Sequence, residues 1–391
     1  MNNKLRLPLA NSTWDDREYD AIYRVIKSDR FTMGPEVKKF EKQFASYIGS
    51  EFAIMVNSGS SANLIAISSL IYSTRYNLKK GDEVIVPAVS WATTYYPLYQ
   101  YGLRLKFVDI DLNTLNFNIE ALQEAVSEKT CLIMAVNLLG NPNDFDKIND
   151  IIKNKDILLV EDNCESLGAT YCDKHAGTVG VLGTFSSFFS HHISTMEGGI
   201  VVTDDEELYH ILLSLRAHGW TRDLPNKNRI LIKSQDPFNE SFNFVLPGYN
   251  LRPLEISGAI GQEQLNKLDE IVKWRRFNAK KIKELMKDNP NFLLQKEIGN
   301  SSWFGFSIIL SENNPLSRSE VLYELSESGI ECRPIVAGNF TKNKAIKYFD
   351  YSIHGELDNA NFVHERGFFV GNHHYDLTNE IEFVSNLLNS F

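Results

Sequence analysis

The chain has 391 residues, 43% of them apolar, and a formal net charge of −10 at pH 7. A single compact core rarely grows beyond about 250–300 residues, so we expect one large domain and one smaller domain. The negative charge argues against a protein that binds nucleic acid or an anionic membrane, because both of those surfaces are themselves negative.

The cysteines and the N-terminus indicate the compartment. Cys131, Cys164, Cys172 and Cys332 are scattered and form no CxxC pair. This spacing favours reduced thiols over disulfides, a bound metal ion or an iron–sulfur cluster. The first ten residues lack the apolar stretch of a signal peptide, and no run reaches the ~18 apolar residues of a membrane-spanning helix. We therefore expect a cytoplasmic protein without a metal site.

Helices are predicted at residues 14–29 and 35–48, after which apolar strands alternate with helices. The apolar runs suit strands that are buried on both faces of a mostly parallel sheet, so the pattern predicts an α/β fold. The predicted strands are 52–56, 83–87, 103–108, 131–136, 157–161, 184–189 and 199–203, and the helices between them include 60–72, 118–127 and 144–153.

The pattern changes after residue 204. Residues 217–250 form a long irregular stretch, and so long a loop in a compact protein usually serves a function. We divide the chain into a large domain with an N-terminal helical arm, residues 1–255, and a small α+β C-terminal domain, residues 256–391. The other elements predicted here are helices at 205–216, 254–287, 318–328 and 379–390 and a strand at 302–310.

A turn of small residues, NSGSSAN at 57–63, joins the first strand to a helix. The free N–H groups of a helix N-terminus form an anion site that suits a phosphate group, and the hydroxyls of Ser60 and Ser61 add donors. An ordinary helix cap explains these serines equally well, because serine is favoured there without any ligand.

Asp162 follows the buried run ILLVE, and Glu165 lies one turn further on. In open α/β sheets ligands bind beyond the carboxyl ends of the strands. A carboxylate in that place can pair with the protonated ring nitrogen of a cofactor. It can also simply cap the next helix or pair with a neighbouring residue.

Residues 184–199 read TFSSFFSHHISTMEGG. Together with the turn at 57–63 and the acid at Asp162, this run resembles the DegT/DnrJ/EryC1/StrS family of sugar aminotransferases. The resemblance extends over nearly the whole chain. It implies the fold type I of aspartate aminotransferase, with pyridoxal 5'-phosphate (PLP) as cofactor.

The resemblance also exposes a substitution. Family members carry a serine five residues before a catalytic lysine and Glu-Gly-Gly six residues after that lysine. Here the serine is Ser186 and the Glu-Gly-Gly begins at Glu197, so the lysine position is His191. No lysine occurs between Lys174 and Lys227, so a slip of a few residues in the alignment does not explain the histidine.

The other cofactor contacts are carried over from the same family. Trp91, in PAVSWATTYY, matches the aromatic that stacks on the cofactor ring, and Asp162 matches the acid of the pyridine nitrogen. Asn250, in PGYNLRPLE, matches the residue that reaches the phosphate of the neighbouring subunit's cofactor, which implies a homodimer. The complete set implied is Gly59, Ser60, Ser61, Trp91, Asp162, Glu165 (where a glutamine is commoner), Ser186 and Asn250.

A histidine in the lysine position is a property of the sugar 3-dehydratases within this family. Imidazole moves protons near neutral pH but does not hold the cofactor covalently as an amine does. The resemblance therefore implies that His191 is a catalytic base beside untethered pyridoxal or pyridoxamine 5'-phosphate. It implies removal of the C3 hydroxyl of a GDP-linked 4-keto-6-deoxysugar, with L-glutamate as amino donor to the cofactor. The preference for guanine follows from the resemblance alone.

Three further residues are assigned to substrates. His218 acts near carbon 4 of the sugar or only packs. Arg222, in AHGWTR, binds the diphosphate through its guanidinium or forms a surface salt bridge. Arg333 receives the carboxylate of glutamate.

Two other functions stay open. One is a PLP-dependent nucleotide-sugar 4-aminotransferase that uses a lysine from elsewhere in the chain. The other is a non-catalytic PLP-binding sensor on the same fold. The joint presence of phosphate turn, aromatic, acid and serine favours an enzyme over a sensor.

Overall fold

A computed structural model describes residues 5–391; residues 1–4, the start of the predicted N-terminal arm, lie outside the described residues. The strands are β1 (Phe52–Val56), β2 (Glu83–Pro87), β3 (Arg104–Val108), β4 (Thr130–Val136), β5 (Leu158–Asp162), β6 (Thr170–Tyr171), β7 (Lys174–His175), β8 (Leu182–Ser186), β9 (Gly199–Thr203), β10 (Phe292–Leu294), β11 (Gly305–Leu310), β12 (Cys332–Arg333), β13 (Tyr351–Ile353) and β14 (Gly367–Gly371).

The helices are α1 (Asp16–Lys27), α2 (Pro35–Ile48), α3 (Gly59–Tyr72), α4 (Ala92–Gln100), α5 (Ile119–Ala125), α6 (Phe145–Ile152), α7 (Glu206–Arg216), α8 (Pro237–Glu240), α9 (Glu255–Leu265), α10 (Leu268–Met286), α11 (Arg318–Glu327), α12 (Asp358–Arg366) and α13 (Thr378–Asn389). No helix within residues 5–391 combines the length and apolar character that crossing a bilayer requires.

The central sheet has eight strands in the order β1-β9-β8-β5-β4-β2-β3-β13. Strands β8, β5, β4, β2, β3 and β13 pair in parallel, and β9 runs antiparallel to both β1 and β8. The predicted α/β fold with a mostly parallel sheet is confirmed.

Both faces of this sheet are covered, which explains the continuous apolar runs in the sequence. In β1, Ile54 and Val56 pack in a core with α3 and α7, whereas Ala53 and Met55 pack in another with α2. Towards the other end of the sheet, Ile133 of β4 packs with helices α5 and α6. Because the parallel strands are enclosed on both sides, their carboxyl ends are left as the place for a ligand.

The smaller sheet, in the order β10-β11-β14-β12, is entirely antiparallel and packs with α10, α11 and α13. The boundary predicted between residues 255 and 256 stays a prediction; it falls inside α9, and one strand pairing crosses it. Glu255 in α9 accepts the backbone N–H groups of Gly34 and Glu36, at 2.6 and 2.8 Å, and so caps α2. Strand β13 pairs with β3, so part of the predicted small domain extends the large sheet.

Several predicted elements begin or end one to three residues from their observed bounds, and two differ in a way that changes the path of the chain. The strand predicted at 184–189 ends at Ser186, where the chain leaves the sheet as a loop that returns at Gly199. The helix predicted at 254–287 is two helices, α9 and α10, separated at Asn266 and Lys267. At this break the Lys267 Nζ lies 2.7 Å from a carboxylate oxygen of Glu18 in α1, so a tertiary ion pair accompanies the interruption.

Candidate active site

A cavity of about 940 Å³ opens where β2, β4, β5 and β8 end. Its wall combines backbone and side chains from both sheets and from the loop after β8. The cavity brings together eight of the residues predicted from the sequence, namely Gly59, Ser60, Trp91, Asp162, Glu165, Ser186, His191 and Arg333.

The turn predicted to bind phosphate leads into the N-terminus of α3. Ser58 caps the helix, with its Oγ accepting the N–H of Ser61 at 3.1 Å. A Cβ built on Gly59 would lie 2.7 Å from the Cβ of Ser186, so the close approach of α3 to β8 requires glycine. The N–H groups of Gly59 and Ser60 belong to the first helical turn, which has no intrahelical acceptor for them. Together with the helix dipole they form an anion site in the cavity wall.

Three donors fix the carboxylate of Asp162, which is 5% exposed. Its Oδ2 accepts hydrogen bonds from Asn63 Nδ2 and Thr94 Oγ1, both at 2.8 Å, and its Oδ1 accepts the N–H of Cys164 at 3.1 Å. An oriented, negatively charged carboxylate at a strand end can pair with a protonated ring nitrogen. No local pattern indicates that Asn63 and Thr94 meet this acid, because both contacts bridge distant parts of the chain.

Glu165 lies in the same wall and has an unusual protonation equilibrium. Its pKa is raised to about 7. Burial is the largest cause, the hydrogen bond from the N–H of Leu139, at 3.0 Å, opposes the rise, and the charge of Asp162 adds to it. This carboxyl therefore exchanges a proton near neutral pH. The nearby carboxylate of Asp162 is held by its three hydrogen bonds.

His191 lies in the loop between β8 and β9. Ser187 closes this loop, because its N–H donates to Gly198 O and its carbonyl accepts from Thr195 N, both at 2.9 Å. The closed loop holds the histidine in the cavity wall. His192, by contrast, is fully buried outside the cavity lining.

The imidazole of His191 packs between two aromatic rings, with centroid distances of 5.1 Å to Phe304 and 5.9 Å to Phe188. Its Nδ1 is buried and has no hydrogen-bond partner among residues 5–391. Burial and, after it, the positive charge of Arg275 together lower its pKa to about 4. The ring is therefore neutral at neutral pH and has a free lone pair on one nitrogen.

Arg333 lies at the mouth of the cavity with residues that the sequence analysis missed. Its Nη2 is 2.8 Å from Glu331 Oε1, and Glu331 Oε2 accepts the N–H of Leu9 at 3.1 Å. Leu9 and Ala10 of the N-terminal arm also line the cavity, as do Phe188 and Phe304. Nothing in the sequence brings residues 9 and 10 to residues 331 and 333, since only the tertiary fold joins them.

Two predicted cofactor residues lie outside the cavity of their own chain. Ser61 uses its hydroxyl within the turn, donating to Asn57 Oδ1 at 2.6 Å. Asn250 is exposed, and its Oδ1 accepts the Nε–H of Arg252 at 3.0 Å. The role predicted for Asn250 places it at a neighbouring subunit, so its absence from this cavity agrees with that role without testing it.

The predicted substrate residues His218 and Arg222 also lie outside the cavity. The His218 ring is 4.7 Å from that of Trp220, and the Arg222 guanidinium lies 4.3 Å from the centroid of the same indole. Phe242, which is 67% exposed, extends this aromatic surface. The salt bridge considered for Arg222 does not form within residues 5–391, because its Nη2 donates to the carbonyl of Ser241 instead.

The donor set of the cavity fits a PLP-type cofactor. The glycine-dependent turn at Gly59 offers N–H groups to a phosphate, Asp162 offers a fixed carboxylate, and Trp91 presents a ring that is 58% exposed. His191 is half-buried and contributes to the cavity wall an imidazole that can accept a proton. Within the described residues, no lysine lines this cavity.

The fold and this constellation place the chain in a known class of proteins. The chain belongs to the DegT/DnrJ/EryC1/StrS aminotransferase family, whose model matches residues 12–388. It is 59% identical over 386 residues to GDP-4-keto-6-deoxy-D-mannose 3-dehydratase of Escherichia coli O55:H7 (strain CB9615 / EPEC), covering 98% of this chain and 100% of that protein.

Solved structures of similar proteins have nearly the same fold. A crystal structure of GDP-4-keto-6-deoxymannose-3-dehydratase with a trapped PLP-glutamate geminal diamine has a TM-score of 0.97 and 59% identity, covering 98% of this chain and 100% of that chain. A histidine-to-asparagine variant of that dehydratase with bound GDP-perosamine has a TM-score of 0.97 and 58% identity, with the same coverage of both chains. The predicted aminotransferase fold is thereby confirmed.

Proposed function

We propose that this chain is a PLP-dependent 3-dehydratase that removes the C3 hydroxyl of GDP-4-keto-6-deoxy-D-mannose. L-glutamate serves as amino donor to the cofactor, as the relatives with bound glutamate and GDP-sugar suggest. The product belongs to deoxysugar biosynthesis, and we expect it to be used for GDP-colitose. The single observation that carries the proposal is His191 in a cavity wall that has no lysine among the described residues.

Different residues of the chain bind the cofactor and transfer the proton. The N–H groups at Gly59 and Ser60 and the hydroxyl of Ser186 bind the phosphate of the cofactor, and Asp162 pairs with its ring nitrogen. When bound, the cofactor supplies an amine that activates the sugar at carbon 4 and a ring that accepts an electron pair. The imidazole of His191 accepts a proton and, once protonated, donates it to the hydroxyl that leaves carbon 3.

A dimer completes this assignment. We infer that Asn250, His218 and Arg222 serve the cavity of the neighbouring subunit, because all three lie outside the cavity of their own chain. Exposed apolar side chains around these residues support the inference, since large exposed apolar patches usually mark contacts between proteins. Phe238 and Phe244 in the same stretch are 85% and 54% exposed. The homodimer and the cytoplasmic location stay predictions.

One incubation tests the reaction. The chain is mixed with GDP-4-keto-6-deoxy-D-mannose, PLP and L-glutamate, and the product is analysed by mass spectrometry. We expect a sugar that has lost the C3 hydroxyl and gained no nitrogen. A product that retains the hydroxyl and carries an amine would overturn the proposal in favour of the 4-aminotransferase.

The sensor alternative predicts a different result from the same sample. It predicts tight cofactor binding without turnover of any keto-deoxysugar nucleotide. The lysine alternative is tested by borohydride reduction and peptide mapping of the wild-type chain. A cofactor attached to any lysine in that experiment would contradict the role assigned to His191.

A further inference from the structure

Arg275 is a buried cation in α10, behind the wall that carries His191. It is 4% exposed, and its Nη1 donates to the carbonyl oxygens of Phe304 at 2.8 Å and Trp303 at 3.3 Å. Its Nε is buried without a hydrogen-bond partner, and no acidic group within residues 5–391 forms a salt bridge with it. Burying a charge without a counter-ion costs free energy, so the presence of arginine at residue 275 needs a physical explanation.

The contacts of Arg275 belong to a larger arrangement around residues 300–304. Side chains bind every carbonyl group of this segment. Arg276 Nη2 and Nε donate to Asn300 O and Ser301 O, His192 Nε2 lies 3.1 Å from Ser302 O, Asn372 Nδ2 donates to Trp303 O at 2.9 Å, and Arg275 binds Trp303 O and Phe304 O.

One residue of this segment shows why such contacts are needed. Trp303 has φ 50°, a left-handed conformation that costs a non-glycine residue on the order of 1 kcal/mol or more. The conformation persists where surrounding contacts impose it. Arg275 supplies two of those contacts and so helps to fix the direction in which the chain delivers Phe304 to the cavity.

Phe304 links this arrangement to the site. Its ring lies 5.1 Å from the ring of His191 and 5.9 Å from that of His192, and it lines the cavity. A change in the backbone of residues 303–304 would therefore move one wall of the pocket that holds His191.

The charge of Arg275 acts on the same histidine. Burial lowers the pKa of Arg275 to about 10, so the guanidinium stays positive at neutral pH. After burial itself, Arg275 is the group that lowers the pKa of His191. The other charged side chains that line the cavity, together with neighbouring His192, are Asp162, Glu165, Glu197, Glu331 and Arg333.

We propose that Arg275 is a positioning residue of the active site, which holds Phe304 against the imidazole of His191 through the carbonyl groups of Trp303 and Phe304. This inference rests on the role proposed above for His191. Arg275 touches no reacting atom and acts only through the residues it holds and through its fixed charge.

The test compares Arg275→Met, Arg275→Lys and, as a matched control, Arg276→Met. The neighbouring Arg276 also binds carbonyl groups of the segment but makes no bond to Trp303 or Phe304. The first readout is the NMR titration of the His191 ring in cofactor-free protein, with the signal assigned by its loss in His191→Asn. This readout is independent of turnover, so it separates this inference from the proposed reaction.

We expect the pKa of His191 to rise towards its ordinary value in Arg275→Met and to stay low in Arg275→Lys and Arg276→Met. Turnover at neutral pH should fall roughly tenfold or more in both Arg275 variants, because lysine lacks the two-pronged guanidinium geometry, while cofactor affinity stays unchanged. In Arg275→Met the acidic limb of the pH–rate profile should also move to higher pH.

Two results would overturn the inference. One is a His191 titration that stays the same in folded Arg275→Met. The other is full wild-type turnover in Arg275→Lys, a variant that remains decisive if Arg275→Met does not fold. If the variants show the expected titration shifts but the wild-type chain carries out no dehydration, the proposed function would be refuted and the positioning role would stand.

Discussion

At residue 191 the side chain decides whether the cofactor is held by a bond or only by contacts. An amine can link to the cofactor, whereas the imidazole of His191 can only move protons. We predict that His191→Lys loses dehydration by about 10²–10⁴-fold, the usual contribution of a general base, and retains the cofactor after borohydride reduction and denaturation. Peptide mapping should place the adduct at residue 191.

His191→Asn is the control for that experiment, because asparagine provides neither a base nor an amine. It should lose dehydration and leave no adduct after reduction. Dehydration at the wild-type rate in His191→Lys would show that another residue is the base. The same pair of variants thus separates the proton-transfer role from mere occupancy of the cavity wall.

Glu165 makes a second prediction at the same scale, one that concerns stability. Its pKa is raised from 4.5 to about 7 in the folded chain. The contribution of the protonated carboxyl is therefore fully present below pH 4.5 and is lost as the pH rises through about 7. We predict that Glu165→Gln, which cannot ionise, makes the cofactor-free protein more stable than the wild type at pH 8 by about 1–3 kcal/mol.

The measurement is urea unfolding of both proteins at pH 5 and pH 8. At pH 5 the difference between them should be much smaller, since the wild-type carboxyl is then mostly protonated. A difference that is the same at both pH values would mean that Glu165 does not titrate between them in the folded chain.

At the scale of elements, the turn that opens α3 gives the clearest prediction. A methyl group on Gly59 would meet Ser186 Cβ at 2.7 Å and Cys164 Sγ at 3.0 Å. We predict that Gly59→Ala weakens binding of PLP by at least about tenfold, because the turn must move away from β8. Fluorescence titration with PLP measures the change.

Ser60→Ala is the matched control on the same turn. It removes a hydroxyl whose partner is Thr93 Oγ1 at 3.1 Å but keeps the backbone and its N–H groups. It should therefore weaken PLP binding less than Gly59→Ala does. The reverse order would assign the phosphate site to side-chain hydroxyls instead of to the helix N-terminus.

The elements also show what the sequence could and could not predict. The helix at 35–48 was predicted with its observed bounds, because Pro35 occupies the first turn and Gly49 ends it in a left-handed conformation. The strand at 184–189 was predicted too long, because Phe188 and Phe189 continue an apolar pattern although both line the cavity. An apolar run predicts burial in a core, whereas Phe189 is 51% exposed and lies in the wall of the cavity.

Some residues of the site could likewise be predicted from the sequence, and others could not. Gly59, Asp162 and His191 were predicted because each lies next to a recognisable strand end or family segment. Arg275 was missed, since its acceptors are 28 and 29 residues away in the chain and an arginine in a helix with many charged residues has no local signal. Contacts between distant segments are set by packing, which no local pattern encodes.

At the scale of the whole molecule, one site is expected to draw on two chains. Arg222 lies outside the cavity that holds His191, and we propose that it serves the partner's cavity. Mixing an inactive His191→Asn chain with an Arg222→Ala chain then yields heterodimers that have one intact site and one doubly altered site. We predict that subunit exchange restores turnover to about a quarter of the wild-type level, because half of the dimers are mixed and each of these has one working site.

If Arg222 served its own chain, every site in every dimer would keep one substitution and no activity would return. Arg333→Ala is the control for this reasoning, because Arg333 lines the same cavity as His191. A residue of the same cavity cannot be supplied by the other chain, so His191→Asn mixed with Arg333→Ala should regain nothing. Turnover that returns in the mixture with Arg222→Ala, but not in the mixture with Arg333→Ala, would identify the long loop as the part of each subunit that completes its partner's site. Turnover that returns in both mixtures would mean that each subunit contributes more than this loop to its partner's site.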